Sequence, residues 1–374
     1  MHTGGIGTSL ELYTDVTKVK EKEFRATFEI KGKALYPKLD VLFAMMREIL
    51  MESKLGDEKR LKEILSMLKT RLQTSFLSAG HTTAVLRSLS YTSPIARFRD
   101  ITSGIGFYEV VKDLEENFEE RKELLIENLK KIAGRIFRKE NLMLSYTSAQ
   151  EGLAVLEKAV PQFADSLHTG EKESHGQCII HCKKRNEGFR TSSKVQYVAR
   201  TGNFIDGGAE YTGALQILKV ILSYDYLWQN VRVKGGAYGC MSGFNRIGEG
   251  YLVSYRDPNL EKTMEIYEGV VDYLKNFDID DRDMNKFIIG TISNLDRPMN
   301  PAAKGSRSLN LYMNRITEEM IRREREQILD AQQEDIRGLA TVLEAVLAAG
   351  ELCVIGSEEK IEEAKEMFGE IRTL

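Results

Sequence analysis

The feature that most constrains this 374-residue chain is that its two halves repeat. Asp57, Leu61, Ile64, Leu65, Leu68 and Leu72 map onto Asp280, Met284, Phe287, Ile288, Thr291 and Leu295 at a constant displacement of 223 positions. The spacing is that of a helix with one face turned to a core, and Thr291 is the one polar exchange. Upstream, Thr3-Gly4-Gly5-Ile6 resembles Lys234-Gly235-Gly236-Ala237; downstream, Glu140-Asn141-Leu142 resembles Gly350-Glu351-Leu352. Three matches in the same order, with offsets that drift as loop insertions would make them drift, imply a duplicated domain.

Each copy mixes strands and helices. Thr8 to Tyr13 and Phe24 to Ile30 read as strands, the second with Phe24, Ala26, Phe28 and Ile30 alternating against Arg25, Thr27 and Glu29. Helical spacing follows from Tyr36 through about Arg138, much of it salt-laced and read as a solvated face. A short strand, Leu142 to Tyr146, and a helix from about Gln150 to Phe163 close the first copy. The Gly-, Ser-, Lys- and Glu-rich stretch that follows reads as a linker, with one short strand at CIIHC. The second copy reads as a strand (Lys194 to Ala199), a helix (Gly208 to about Asn230), a Gly-Gly loop and two strands. Helices from Leu260, a last strand (Leu352 to Ile355) and a final helix complete it. The expectation is an α+β fold of two homologous domains, residues 1–165 and 191–374, joined by a linker over 166–190. Each is a mainly antiparallel sheet packed against helices.

In the second copy a strand and a helix, Lys194 to about Asn230, precede the Gly-Gly loop, and in the first copy nothing does. Copy one is therefore expected to lack its opening strand and helix, leaving an unpaired sheet edge and exposed apolar surface. Either the chain is cut from a longer polypeptide, or another chain supplies the missing elements.

Lys+Arg 53 against Asp+Glu 56 leaves a net charge of -3, which makes no electrostatic case for nucleic acid. No apolar run is long enough to span a bilayer. Four cysteines behind no visible export leader suggest a reducing compartment, with the cytoplasm as the expected location. The chain shows no phosphate loop, dinucleotide fingerprint or GxSxG elbow. None of its histidines, His2, His81, His168, His175 and His181, belongs to HExxH or HxxEH, so no metal site of that kind is expected. His175, Cys178, His181 and Cys182 have the softness zinc favours, but His181 abuts Cys182 and the ligands crowd one short stretch. They read as incidental residues of a linker. Cys240 and Cys353 read as buried strand residues.

The segment VRVKGGAYGCMSGF invites chemistry. Arg232 ends a predicted helix, Tyr238 starts the next strand, and Gly235-Gly236 between them permits a sharp reversal. Such a loop can aim a guanidinium and a phenol at one carbonyl oxygen, or at the oxyanion it becomes. The same residues also suit a plain structural account: a cation at a helix C-terminus, and a tyrosine as a good strand former.

RVKGGAYG, then YRDPN, then NLDRPMNPAAKG, together with the opening TGGI and SAGHTTAVLRSLSY at residues 78 to 91, resemble the C-terminal half of the pitrilysin/insulinase (inverzincin) zinc metallopeptidases, in the presequence-protease branch. That resemblance implies four homologous α+β domains in two halves that close around unstructured peptides. It implies that zinc, its HxxEH histidines and the glutamate base lie in the N-terminal half and not in this chain. It carries a substrate-binding arginine and tyrosine onto Arg232 and Tyr238, with Gly235 and Gly236 as backbone-permissive residues. His81 takes no chemistry from it and reads as a hydrogen-bonded structural residue. The implied function is the non-zinc half of a metalloendopeptidase, inactive alone, whose partners are the zinc-bearing half and unstructured peptides. The alternative is a stand-alone, non-catalytic partner or scaffold subunit of the same fold. A duplicated binding module unconnected with proteolysis is a third reading, and it leaves the loop match unexplained.

Overall fold

The protein is described here by a computed structural model covering residues 4–170 and 180–374. Alternating side chains at the start of the chain produce an antiparallel pair, β1 (Ile6–Tyr13) and β2 (Arg25–Gly32), with Ile6 opposite Gly32 and Tyr13 opposite Arg25. Seven helices follow: α1 (Leu39–Met51), α2 (Glu58–Ser78), α3 (Gly80–Leu89), α4 (Pro94–Ser103), α5 (Ile105–Glu116), α6 (Phe118–Ile136) and α7 (Glu151–Asp165). Leu39, Leu42, Phe43 and Met46 of α1 pack on Ala159 and Phe163 of α7. The salt-laced helix α6 buries only Phe118, and Lys122 donates to Glu58 at 2.8 Å, as a solvated face should. The predicted strand at Leu142 to Tyr146 is not one. It runs on from a 3₁₀ turn, Lys139–Asn141, without a ladder, because among the described residues no neighbouring strand pairs with it.

The second domain runs β3 (Glu187–Thr191), β4 (Tyr197–Asn203), α8 (Ala214–Tyr224), β5 (Gly239–Phe244), β6 (Glu249–Tyr255), α9 (Glu261–Glu268), α10 (Val270–Lys275) and α11 (Asp281–Leu295). It continues through α12 (Pro301–Met313), α13 (Glu318–Leu329), α14 (Gln333–Gly338), α15 (Ala340–Ala348), β7 (Glu351–Ser357), α16 (Glu358–Glu363) and β8 (Glu370–Thr373). Six strands form one sheet in the order β5-β6-β4-β7-β3-β8, parallel where β3 meets β7 and β8 and antiparallel elsewhere. Two of these strands depart from the sequence reading. β3 begins inside the stretch read as linker, whereas Ile180 to Cys182 of the CIIHC segment form no strand; its Cys178 and Ile179 lie outside the described residues. β8 follows the helix expected to be last. Each is four or five residues long with few apolar positions, too little pattern for alternation to register.

The sheet is covered on both faces. Val198, Leu252, Leu352 and Val354 face the fully buried apolar side of α8 and the helices α10 and α15. Tyr197, Ala199, Val253, Cys353 and Ile355 face Phe76, Ala84, Ile105 and Tyr108 of the first domain. The first-domain helix α3 therefore crosses the second domain's sheet. A Cβ on Gly80, where α3 starts, would collide with the Tyr197 ring. Farther along α3, Arg87 is buried between Glu187 of β3 and Asp100 of α4. Ser88 shares a 2.7 Å hydrogen bond with Thr201, and Ser93 donates to Glu249 at 2.6 Å.

The duplication is visible in backbone detail. Gly5 and Gly236 both take left-handed conformations, with φ 101° and 81°. Asp57 and Asp280 each cap their helix by accepting from the backbone N–H three residues on, and Ser93 and Thr317 do the same for α4 and α13. By order, α12 is the counterpart of α3, yet it buries no side chain. The first sheet has two strands where the second has six, and Leu10 (43% exposed) and Phe28 (39%) remain in contact with water.

Candidate functional site

Arg232 lies in a wide π-helical turn, Trp228–Lys234, anchored by the fully buried Leu227 and Val231. The turn closes when Gly236 N–H donates to the Arg232 carbonyl at 2.9 Å and Ala237 N–H to the Val231 carbonyl at 3.1 Å. Gly236 supplies the left-handed residue, and at Gly235 a Cβ would meet the Val231 carbonyl. Both glycines are thus demanded by the backbone path.

The loop is pinned from below by the segment Tyr255-Arg256-Asp257-Pro258-Asn259. Asn259 Nδ2 donates to the Gly235 carbonyl at 2.6 Å. The buried Asp257 carboxylate accepts from Asn259 N–H at 2.9 Å and from Thr263 Oγ1 at 2.7 Å. Burial pushes that carboxyl above its ordinary range, and these hydrogen bonds pull against it. Tyr238 N–H donates to the Arg256 carbonyl at 3.3 Å, which fixes Tyr238 just ahead of β5.

Arg232 and Tyr238, the two side chains singled out in the sequence, do come together. The Arg232 guanidinium stacks on Trp228 with its carbon 3.9 Å from the ring centre, and lies 5.9 Å from the Tyr238 ring centre. Tyr238 is 67% exposed. Among the described residues no carboxylate pairs with Arg232, so its donors are available to a ligand. The aromatic row continues: Tyr238 to Tyr255 at 5.7 Å, Tyr255 to Tyr197 at 5.7 Å, and Tyr255 to His81 edge-on at 4.8 Å. His81, expected to be hydrogen-bonded, buries its Nδ1 with no hydrogen-bond partner among the described residues; the ring packs on tyrosines, and burial lowers its pKa. Trp228, Tyr255, Arg256 and Asn259 belong to this site without being singled out by the sequence. The YRDPN motif is the available signal, but nothing in a linear sequence says that it lies under the Gly-Gly loop.

Among the described residues no group of three or more His, Cys, Asp or Glu is placed to hold a metal. Of the sequence cluster, His181 is exposed and Cys182 half-buried, while His175 and Cys178 lie outside the described residues. Burial pushes the Cys240 thiol up to about 11 and raises the Cys353 thiol well above its ordinary value, as befits packed strand residues. No helix among the described residues is long and apolar enough to cross a membrane.

This architecture is that of a tandem α+β peptidase-type half in which the described residues place no metal-binding group. Residues 186–358 match the family model of the PreP C-terminal domain, and residues 1–114 that of the region associated with the C subfamily of the M16 peptidases. Over 374 residues the chain is 36% identical to Protein HypA of Clostridium perfringens, covering 100% of this chain and 38% of that protein. Over 364 residues it is 30% identical to presequence protease 1, chloroplastic/mitochondrial, of Arabidopsis thaliana, covering 97% and 33% respectively. In fold it resembles the peptidase M16 inactive domain from Pseudomonas fluorescens, with TM-score 0.55 and 12% identity over 94% of this chain and 81% of that one. The chain belongs to the M16 peptidase family and corresponds to a C-terminal half of the presequence-protease type. It spans about a third of the length of these curated relatives.

Proposed function

We propose that this chain is the substrate-holding, non-zinc part of a metalloendopeptidase acting on unstructured peptides, and that it is inactive by itself. The observation that supports this reading is the loop in which Arg232 and Tyr238 present hydrogen-bond donors from a backbone pinned by Asn259 and Arg256. Donors held rigidly in this way cost little reorganisation when they meet a peptide carbonyl or the charge that develops on it. In this reading Arg232 binds and orients the peptide backbone, Tyr238 donates to the same region, and the aromatic row excludes water beside them. In this reading the zinc and its ligands belong to an N-terminal half outside this chain, on which this half closes.

The test is cleavage of an unstructured fluorogenic peptide by this chain with zinc added, alone and after mixing with the N-terminal region of the Clostridium perfringens relative. The expected result is no turnover alone and turnover in the mixture. Zinc-dependent, chelator-sensitive turnover by the isolated chain overturns the reading.

A further inference from the structure

We propose that Arg256, with Tyr255 and the first-domain residue His81 behind it, forms a second subsite beside Arg232 and Tyr238 that recognises a carboxylate on the bound peptide. This inference rests on the proposed peptide-holding role.

Three observations carry it. The first is charge left unneutralised. Arg87, Arg190, Arg325 and Arg337 all pair with carboxylates, whereas among the described residues Arg232 and Arg256 form no ion pair and instead lie over aromatic rings. The Arg256 guanidinium carbon is 5.6 Å from the Tyr255 ring centre. A guanidinium held over a ring keeps its fork of donors in a fixed plane, the geometry that pairs with a carboxylate.

The second is backbone strain at that residue. Arg256 has φ 49°, the left-handed conformation that a residue carrying a Cβ adopts only at a cost. It is held there from both sides. Asp257 exchanges two backbone hydrogen bonds with Gln196, at 2.7 and 2.9 Å, and the Arg256 carbonyl accepts from Tyr238. The strained residue is therefore built into the same backbone that positions Tyr238.

The third is reach. The chain of contacts from Arg232 through Tyr238 and Tyr255 to Arg256 has links of 5.9, 5.7 and 5.6 Å. The two guanidinium groups thus stand no more than about 17 Å apart, a span that about five residues of extended peptide cover. The ligand class is an extended peptide with a carboxylate, on an acidic side chain or at its C-terminus, within that distance of the carbonyl held by Arg232. His81 packs edge-on against Tyr255 and ties this subsite to the first domain.

The chain contains a single tryptophan, Trp228, and it stacks on Arg232, so its fluorescence reports on the site directly. Three ten-residue unstructured peptides serve as probes: one neutral and amidated, one amidated with a single Glu, and one neutral with a free C-terminal carboxylate. The unmodified chain is expected to bind at least one carboxylate peptide about tenfold more tightly than the neutral one at low salt, as a charge-assisted contact would give. Preference for the second peptide assigns an acidic side chain as the source, and for the third the terminus. In Arg256→Gln the preference should fall below about twofold, and Arg256→Lys should keep part of it. Arg232→Gln should weaken all three peptides alike. Arg256→Gly separates binding from folding: glycine fits the left-handed backbone, so this variant should unfold at no lower temperature while losing the preference. Equal binding of all three peptides by the unmodified chain, or a preference that survives Arg256→Gln, overturns the proposal and leaves the peptide-holding role standing. Absence of any peptide binding, by Trp228 emission and by anisotropy of labelled peptide, overturns both.

Discussion

Arg87 and Glu187 meet in two parallel hydrogen bonds, Nε to Oε2 at 2.5 Å and Nη2 to Oε1 at 2.8 Å, with both side chains removed from water. One sits on α3 of the first domain and the other on β3 of the second, so a charge pair joins the domains through the sheet. Asp100 takes a third guanidinium contact at 2.7 Å, and Tyr91 donates to Glu187 at 3.0 Å. Burial opposes charge on Glu187, but Arg87 outweighs it and holds the carboxyl below its ordinary range.

Removing one partner of such a pair leaves buried charge unmatched. Arg87→Ala should therefore destabilise the protein by about 3 to 5 kcal/mol, read as a lowered denaturation midpoint. Replacing both partners, as in Arg87→Met with Glu187→Leu, should recover much of that loss. The depressed Glu187 pKa sets the sign of the pH effect: its contribution is complete above the unfolded value of about 4.3 and is lost as pH falls through the lower folded value. A loss under about 1 kcal/mol in Arg87→Ala would show that the pair does not tie the domains together.

Glu351 behaves in the opposite way. It opens β7, fully buried, with Thr201 Oγ1 donating at 3.3 Å. Burial pushes its carboxyl up to about 7, against the pull of Thr92, Thr201, Lys184 and Arg200. Between about pH 4.3 and 7 the unfolded chain has released this proton and the folded one still holds it, so stability falls as pH rises through that window. Glu351→Gln should abolish this slope and be more stable than the parent at pH 8 by on the order of 3 kcal/mol. Thermal unfolding of the two proteins between about pH 4.5 and 8 decides it; parallel curves would mean that Glu351 is ionised throughout.

The proposed substrate contacts make a kinetic prediction. In the assembled enzyme, Arg232→Ala or Tyr238→Phe should lower kcat/KM for an unstructured peptide by about one to three orders of magnitude, the range for losing a charge-stabilising donor. Folding should be unaffected in Tyr238→Phe, because the phenol ring is largely exposed and its contact with Tyr255 is kept. Unchanged kinetics in both variants would remove them from the site.

Much of the architecture is legible because the repeat and the helical spacings are local patterns. The Asp57 and Asp280 caps, the hairpin and the order of helices follow from residues close together in sequence. Arg232 and Tyr238 are legible because two glycines between them betray a tight reversal. What escapes depends on distance. Trp228 is four residues from Arg232 but reads as an ordinary helix residue until the turn is seen to widen. His81 and Tyr255 lie 174 positions apart and meet only because α3 crosses the other domain's sheet. The Arg87–Glu187 pair is hidden for the same reason. Leu142 to Tyr146 misleads as a strand because its apolar pattern is real while its pairing partner is not among the described residues.

That missing partner leads to the last prediction. In the second sheet β4 lies between β6 and β7, antiparallel to both, and α8, the helix that follows it in the chain, carries a fully buried apolar face. Their counterparts in the first domain would lie between β2 and the extended Leu142 to Tyr146 segment, beneath α12. That helix lies close to both elements: Thr14 N–H, in the connection from β1 to β2, donates to Asn314 just past its end at 2.9 Å, and Thr147 packs against Gly305. We propose that a strand followed by an amphipathic helix, from the N-terminal half of the enzyme, fills this place. It would bring Leu10, Phe28 and Met143 out of water and give both neighbouring strands a ladder partner. Backbone amides of Arg25–Gly32 and of residues 142–147 should then exchange at least about tenfold more slowly when the N-terminal region of the Clostridium perfringens relative is added, while β4 of the second sheet stays protected in both states. Protection of β4 alone, with no change at β2 in a mixture that shows peptide turnover, would mean that the two halves join elsewhere.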